Sequence, residues 1–330
     1  MRKTLIAAAC ITAVACSQTP ASDPRADGRI SVVATVSPIT NLVENIGGEH
    51  VRVTGLVPEG VNSHTFEPTP SDARLLAEAD LFFANGLNLE LPSISLAEQN
   101  LPEDASIVEL APQTITEDEW IFDFSFPEEE GDPNPHLWTN PPYAKRYAQI
   151  ISESLAEADP DNADAYRANY AEIAARLDAL SEALIDATAT VPPGSRKLLT
   201  YHDSFPYMAR DYGWTVIGAV QPSDFSEPTP REIANLITQI REARIPAIFG
   251  SEVFPSPVLE QIARETGAQY VDDLRDDDLP GAPGDDDHSL IGLLVFDFKT
   301  MVEALGGDAS ALDSVDISNL PGGGEAIYRQ

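Results

Sequence analysis

The sequence predicts an α/β protein with two lobes, each a mostly parallel sheet flanked by helices, and one long rigid helix joining them. Three observations predict this fold. Segments typical of buried strands alternate with amphipathic helices in both halves, as in βαβ units. An unbroken helical pattern runs from Asp161 to Thr188 between the halves. The length of 330 residues exceeds the roughly 250–300 residues at which single cores stop growing.

The first half of the chain predicts three strands and two helices. Runs of apolar and β-branched residues predict strands over 30–36, 51–57 and 80–84. A helix over 38–46 begins at a proline and stops at two glycines, and a helix over 71–79 begins at a serine N-cap. A long loop, 58–70, follows the second strand.

The central helix and the second half continue the same alternation. Twenty-eight helical residues at about 1.5 Å each would span roughly 42 Å, which suits a rigid strut between two halves. Strands are predicted over 197–201, 214–220, 245–249 and 269–272, and helices over 230–243, 257–266 and 289–305. The predicted divisions are a signal segment 1–16, a flexible linker 17–28, a first lobe 29–159, a linking helix 160–190 and a second lobe 191–330.

Composition excludes two classes of partner. The chain has 20 Lys and Arg against 54 Asp and Glu, a net charge of -34. Such a field repels phosphate backbones and anionic headgroups, so we expect no nucleic-acid binding and no electrostatic docking on a membrane. The same field attracts cations.

The first sixteen residues have the form of an export signal. Basic residues precede a short apolar stretch, and small residues precede Cys16. This arrangement is similar to a bacterial lipoprotein signal, in which Cys16 would be lipidated, with plain secretion as the alternative. Cys10 and Cys16 are the two cysteines of the sequence, so a metal site in the folded body must use imidazole, carboxylate or carbonyl groups.

Three of the five histidines stand where α/β sheets bind ligands. His64 lies in the loop after a strand, His136 in a proline-flanked turn before a helix, and His202 directly after a strand. Their separations of 72 and 66 residues are far longer than those of zinc fingers, and they suit a cleft between two lobes. His50 is interpreted as a surface residue, and His288 as a surface residue or a transient ligand.

The sequence motifs around these histidines are specific to one family. Asn62-Ser-His-Thr-Phe-Glu-Pro, Asn134-Pro-His-Leu-Trp and Thr200-Tyr-His-Asp-Ser-Phe resemble the zinc/manganese substrate-binding proteins of bacterial ABC importers. This is the metal-binding lipoprotein or adhesin group, cluster A-I of the solute-binding proteins. The resemblance runs from about Ile30 to Leu305, with the motifs in family order.

The resemblance implies a metal held between the lobes by three His, or two His and a Glu, plus one Asp. His64, His136 and His202 match the first three positions, and Asp277 in Leu274-Arg-Asp-Asp-Asp-Leu279 matches the fourth. A slip of one residue would place Asp276 or Asp278 there instead.

This chain departs from the family pattern in two places. The segment 117–132 is acidic where many zinc-specific members carry a His-rich loop. We interpret it first as a solvated face and second as a weak cation-collecting loop. Leu290 and Asp297 stand where the family tends to carry Tyr and Asn.

Three imidazoles and one carboxylate suit four-coordinate Zn²⁺, whereas Mn²⁺ prefers more oxygen ligands. Catalytic zinc keeps one position of its coordination shell open, whereas four protein ligands fill the shell. We therefore predict that this protein is not an enzyme. It would capture Zn²⁺ outside the cytoplasm for an ABC permease and its ATPase, with manganese as the second choice of ion. A periplasmic metallochaperone is a further candidate partner. We expect a monomer, in the periplasm or on the outer face of the cytoplasmic membrane, attached only through a lipid on Cys16.

Two alternative functions remain open at this point. A secreted zinc hydrolase would use the three histidines with Asp277 or Glu252 as base. Surface adhesion is permitted by the resemblance, but no residue supports it.

Overall fold

In the computed structural model, residues 28–223, 225–251, 257–323 and 326–329 are described, and they form two four-stranded sheets. All strand pairs in both sheets are parallel. The two-lobed α/β fold predicted from the sequence is therefore confirmed. The predicted signal segment, Cys16 and nearly all of the predicted linker lie outside the described residues, as does Glu252.

The first sheet is built by the amino-terminal third of the chain. Its strands are β1 (Ile30–Ala34), β2 (Val51–Gly55), β3 (Leu81–Ala84) and β4 (Ser106–Glu109), in the order β2-β1-β3-β4. Its helices are α1 (Ser37–Gly47), α2 (Pro70–Leu76) and α3 (Leu91–Asn100). The sequence patterns indicated neither α3 nor β4. β4 is an edge strand with one buried residue, so it lacks the continuous apolar run of a buried parallel strand.

Two long helices follow the first sheet. α4 (Pro141–Ala158) packs along α5 (Ala163–Thr190), and α5 also contacts α1 and α9 (Leu290–Ala304). Tyr166, Leu177 and Leu184 on α5 are almost fully buried. One apolar cluster continues from the first sheet through α5 to α9. α5 is thus the predicted strut, and it is part of a shared core.

The second sheet repeats the topology of the first. Its strands are β5 (Lys197–Thr200), β6 (Thr215–Ala219), β7 (Ala247–Ser251) and β8 (Gln269–Leu274), in the order β6-β5-β7-β8. Its helices are α6 (Pro206–Tyr212), α7 (Pro230–Ala243) and α8 (Pro257–Thr266). The strand order reverses beside β5, so ligands are expected at the carboxyl end of this strand.

The carboxyl-terminal tail returns to the first lobe. Ile327 forms a parallel bridge with Thr54 on β2, through hydrogen bonds to Gly55 and Val53 of 2.9 and 3.0 Å. Arg329 forms an ion pair with Asp72 of α2 at 2.5 Å. The tail therefore covers the exposed edge of the first sheet, although it follows the second lobe in sequence. Among the described residues, no helix combines the length and apolar character needed to cross a bilayer.

Candidate metal centre

His64 is delivered by the loop that follows β2. It lies in a single 3-10 turn, Ser63–Thr65, and its backbone N–H donates to the Asn62 side-chain oxygen at 2.9 Å. This side-chain cap fixes the short turn, because asparagine readily accepts from the backbone two residues on. The His64 ring remains partly exposed while the other two rings are buried.

His136 and His202 are held by amide side chains. The Asn134 side-chain oxygen accepts from the backbone N–H of His136 at 3.1 Å and lies 2.9 Å from its Nδ1. His202 directly follows β5, and its Nδ1 lies 2.6 Å from the Gln221 side-chain oxygen. An amide oxygen can only accept, so each Nδ1 carries the proton and each Nε2 presents its lone pair.

The three Nε2 atoms converge. They are 3.2 Å apart between His64 and His136, 3.1 Å between His64 and His202, and 3.0 Å between His136 and His202. One ion can lie about 2.0–2.1 Å from all three, roughly 1 Å to one side of their plane. The structure thus brings together the three histidines that the sequence singled out.

Burial keeps these imidazoles neutral. It lowers the pKa values of His64 and His136 well below the usual value, and the neighbouring histidines lower them further. Burial also lowers the pKa of His202, against the opposing effect of its Gln221 hydrogen bond and of nearby carboxylates. Neutral imidazole is the form that binds metals.

Two carboxylates from the turn after β8 complete the cluster. The ligand atoms of His136, Asp276 and Asp277 all lie within 4.8 Å of one another. Asp277 Oδ2 accepts from the Ser63 hydroxyl, and its Oδ1 is buried with no hydrogen-bond partner among the described residues. A buried carboxylate oxygen without a donor is costly unless a cation faces it.

The other two aspartates of the turn differ from Asp277. Asp276 Oδ2 accepts from the Ser204 hydroxyl at 3.0 Å and lies 3.7 Å from His202 Nε2. Asp278 Oδ2 accepts from the Gly60 N–H at 2.6 Å instead. Burial and the Asp276 carboxylate raise the pKa of Asp277 to about 7, and burial raises that of Asp276 to about 6.

Sequence reasoning missed the residues that orient the ligands. Asn134 stands two residues before His136 in the motif Asn134-Pro-His-Leu-Trp, so this motif already contained a signal for its side chain. Gln221 directly follows the predicted strand 214–220, at the sheet edge where ligands bind. Such orienting partners fix the tautomer and basicity of a histidine ligand.

The acidic segment 117–132 divides into two parts. Most of its carboxylates are exposed, as a solvated face would be, and Glu130 and Asp132 line a cavity beside His64. Asp123 faces the buried carboxyl of Asp203. Burial and the Asp203 carboxylate raise the pKa of Asp123, and burial raises the pKa of Asp203 against the opposing effect of its hydrogen bond with Asp123. The segment is therefore held against the second lobe through Asp123, Ser125 and buried Phe126, while most of its carboxylates face solvent.

The interpretation of His288 as a surface residue is wrong. Its side chain is 2% exposed, its Nδ1 lies 3.1 Å from the Pro280 carbonyl oxygen and its Nε2 lies 3.6 Å from Glu59. The Tyr328 ring of the returning tail packs edge-on against it at 4.6 Å. The returning tail, whose position no sequence pattern predicts, contributes to this burial. His50 is half-buried, with its ring edge-on to Tyr166 at 6.0 Å.

Asp297 of α9 supports the aspartate turn from behind. Its Oδ1 accepts from the Arg275 N–H at 2.9 Å, and its buried Oδ2 has no hydrogen-bond partner among the described residues. Burial raises the pKa of Asp297 well above the usual value. An asparagine oxygen could accept the same hydrogen bond without a charge. This explains how aspartate in this chain and asparagine in the family pattern can occupy the same position.

Asp297→Asn is expected to flatten the pH dependence of stability. A raised folded-state pKa means that the unfolded chain loses this proton first, so the free energy of unfolding falls as the pH rises above about 4. Removing the group should therefore make the variant increasingly stable relative to wild type from pH 5 to pH 8. Urea unfolding of the metal-free proteins measures this, with exposed Asp286→Asn as the charge-matched control. A constant difference across this range would contradict the expectation.

The chain is similar to metal-binding proteins over most of its length. A family described as the periplasmic component A of zinc-uptake complexes, ZnuA, matches residues 32–304. The manganese-binding lipoprotein MntA of Halalkalibacterium halodurans is 29% identical over 84% of this chain and 88% of its own. The iron-binding protein YfeA of Yersinia pestis is 30% identical over 78% of this chain and 80% of its own. The periplasmic zinc-binding protein TroA of Treponema pallidum superposes with a TM-score of 0.76 at 27% identity, over 84% of this chain and 99% of TroA.

Proposed function

Because this chain belongs to the ZnuA family of metal-binding components of ABC importers, we propose that it captures Zn²⁺ in the cleft between its lobes and delivers it to a membrane permease. Proteins of this family are substrate-binding components of metal transporters that act outside the cytoplasm, and they are not enzymes. The family resemblance, the extracytoplasmic location and the absence of an enzymatic role are thereby confirmed. The hydrolase alternative is set aside.

One observation carries the choice of zinc. The neutral imidazoles of buried His136 and His202 and of partly exposed His64 bring their Nε2 atoms within 3.0–3.2 Å of one another. The same cluster contains Asp277 Oδ1, which has no hydrogen-bond partner among the described residues. Three nitrogens and one carboxylate oxygen form a closed four-coordinate set typical of bound Zn²⁺. His64, His136, His202 and Asp277 are the proposed ligands.

A second carboxylate supports manganese as the alternative cargo. Asp276 lies 3.7 Å from His202 Nε2, and a small shift would add its oxygens to the coordination sphere. Mn²⁺ prefers oxygen ligands and more than four of them. The named relatives divide in the same way, since MntA is a manganese-binding, YfeA an iron-binding and TroA a zinc-binding protein.

The shared core limits how the ion can be released. α5 contacts helices of both lobes, and one apolar cluster continues through it, so a wide hinge opening would expose buried surface. We propose that release combines a small tilt of the lobes with movement of the loops that carry the histidines and the aspartates. Metal-free and zinc-bound crystal structures with identical loops would argue against this.

Metal analysis tests the proposed cargo. Protein freed of metal and then exposed to equal concentrations of Zn²⁺ and Mn²⁺ is expected to retain one zinc ion per chain by mass spectrometry. Cells in which the gene for this protein is deleted should lose zinc uptake, and they should regain it when the wild-type gene is restored. Retention of manganese in the presence of zinc would overturn the zinc proposal and favour the alternative.

The pH dependence of zinc binding should follow the aspartate turn. A carboxyl group with a pKa of about 7 must lose its proton before it binds an ion, so affinity should fall as the pH drops below 7. The histidines, whose pKa values are lowered by burial, compete with protons only at lower pH. Calorimetry in buffers of different ionisation enthalpy counts the protons released. Asp277→Asn should release fewer protons at pH 6, and an unchanged count would contradict the assignment.

A further inference from the structure

Two phenylalanines cover the three-histidine cluster. The Phe126 ring centroid lies 5.5, 5.7 and 6.2 Å from the ring centroids of His64, His136 and His202. These nearly equal distances place Phe126 over the triangle and not beside one corner. Its side chain is only 7% exposed.

Phe225 lies over the partly exposed histidine. Its ring stacks on His64 with a centroid distance of 4.6 Å and an interplanar angle of 26°, and it lies 6.1 Å from His202. The two phenylalanine rings meet at 6.3 Å. Phe126 precedes α4 in the first lobe and Phe225 follows β6 in the second, so the cover is assembled across the cleft.

A cavity of about 90 Å³ leads to this cover. His64, Phe126 and Phe225 line it together with the exposed side chains of Glu130 and Asp132. A cation that reaches the cluster through this cavity meets carboxylates first and then the two aromatic rings. The rings also exclude water, which would otherwise compete for the coordination sphere.

The two halves of the cover differ in how firmly they are held. Phe126 is buried, its carbonyl accepts from the Asp123 N–H at 2.8 Å, and the adjacent Ser125 hydroxyl donates to the Gln221 carbonyl at 2.8 Å. Phe225 is half-buried and has a φ of +57°, a left-handed conformation that bulky residues rarely adopt. A strained backbone conformation persists only where surrounding contacts hold it. At Phe225 the contact is the stacking of its ring on His64, and movement of the ring off His64 would release both the contact and the strain.

We propose that Phe225 is the gate of the metal site: the ion enters and leaves along the cavity only when this ring moves off His64. The proposal deepens the proposed function, on which it rests. A gate changes the rates of entry and exit together, whereas a residue that only stabilises the bound state changes the exit rate and the affinity. Kinetics and affinity together therefore separate the two roles.

The test measures exchange of Zn²⁺ on the full-length protein. Stopped-flow dissociation into excess chelator, and association with a zinc indicator, give both rate constants for wild type, Phe225→Ala and Phe225→Gly. Glycine adopts a positive φ without strain, so Phe225→Gly removes the ring and leaves the turn relaxed. Both constants are expected to rise about tenfold or more in each variant, as for removal of a lid, with the dissociation constant changed less than about threefold.

One variant serves as a matched control. Phe124→Ala removes a ring of the same segment as Phe126 that is 49% exposed, and it should leave both rates unchanged. Circular dichroism verifies that each variant is folded.

The outcomes are distinguishable. Wild-type rates in Phe225→Ala and Phe225→Gly, with zinc still bound, overturn the gate and leave the proposed function standing. Faster dissociation with proportionally weaker affinity also overturns it, because the ring would then only stabilise the bound ion. Failure of the wild-type protein to bind zinc overturns the proposed function and the gate with it.

Discussion

Replacing His136 by alanine is expected to lower zinc affinity by more than about a hundredfold, because even residues that only orient a metal ligand cost about 10–100-fold when mutated. His136 is the central ligand by position. Its ring is 0% exposed, and it belongs both to the three-histidine group and to the group with Asp276 and Asp277. Competition with a chelator of known affinity measures the loss.

The control for this prediction uses another histidine. His50 is half-buried against Tyr166 and lies directly before β2, at the end of this strand opposite to the His64 loop. His50→Ala should bind zinc with wild-type affinity. His136→Gln, which keeps most of the side-chain volume, guards against a loss that arises from a collapsed cavity. If His136→Ala and His136→Gln both retained affinity within about threefold of wild type, the proposed ligand set would be wrong.

His64 and His202 could be predicted because they follow strand ends, and His136 because it lies in a proline-flanked turn before a helix. In a parallel sheet the carboxyl ends of the strands meet at one edge, so residues after β2 and β5 face the region between the lobes. Local sequence patterns also define α1, α5 and α7 well, since caps and amphipathic spacing are properties of neighbouring residues. These features depend on short-range chemistry that the sequence displays directly.

Long-range contacts could not be predicted in the same way. His288 follows acidic residues typical of a surface, yet it is buried among Glu59, Pro280 and the Tyr328 ring of the distant tail. Phe225 lies in a polar stretch with prolines on either side, and no periodicity marks a ring that stacks on His64. Their roles depend on segments that meet only once the two lobes and the tail are assembled.

The choice among the three successive aspartates shows the limit most sharply. Asp276, Asp277 and Asp278 have the same side chain and the same charged neighbours, so the sequence separates them only by alignment. In the structure each has a different partner. Asp276 accepts from Ser204, Asp278 from the backbone of Gly60, and Asp277 alone of the three has a buried oxygen without a partner among the described residues.

Asparagine substitutions in this turn are expected to rank by these partners. Asp277→Asn should weaken zinc binding by more than about a hundredfold, since it replaces an anionic ligand with a neutral amide. Asp276→Asn should cost about 10–100-fold, as for a residue that acts beside the ligands. Asp278→Asn keeps an oxygen that can accept from Gly60, and it should stay within about threefold of wild type.

All three variants keep the side-chain size and remove one charge, so each serves as the control for the others. Zinc affinities measured by chelator competition at pH 8, where all three carboxyl groups are ionised in the wild-type protein, isolate coordination from proton competition. Equal losses in the three variants would mean that the turn acts only through its total charge. A larger loss in Asp276→Asn than in Asp277→Asn would move the fourth ligand to Asp276.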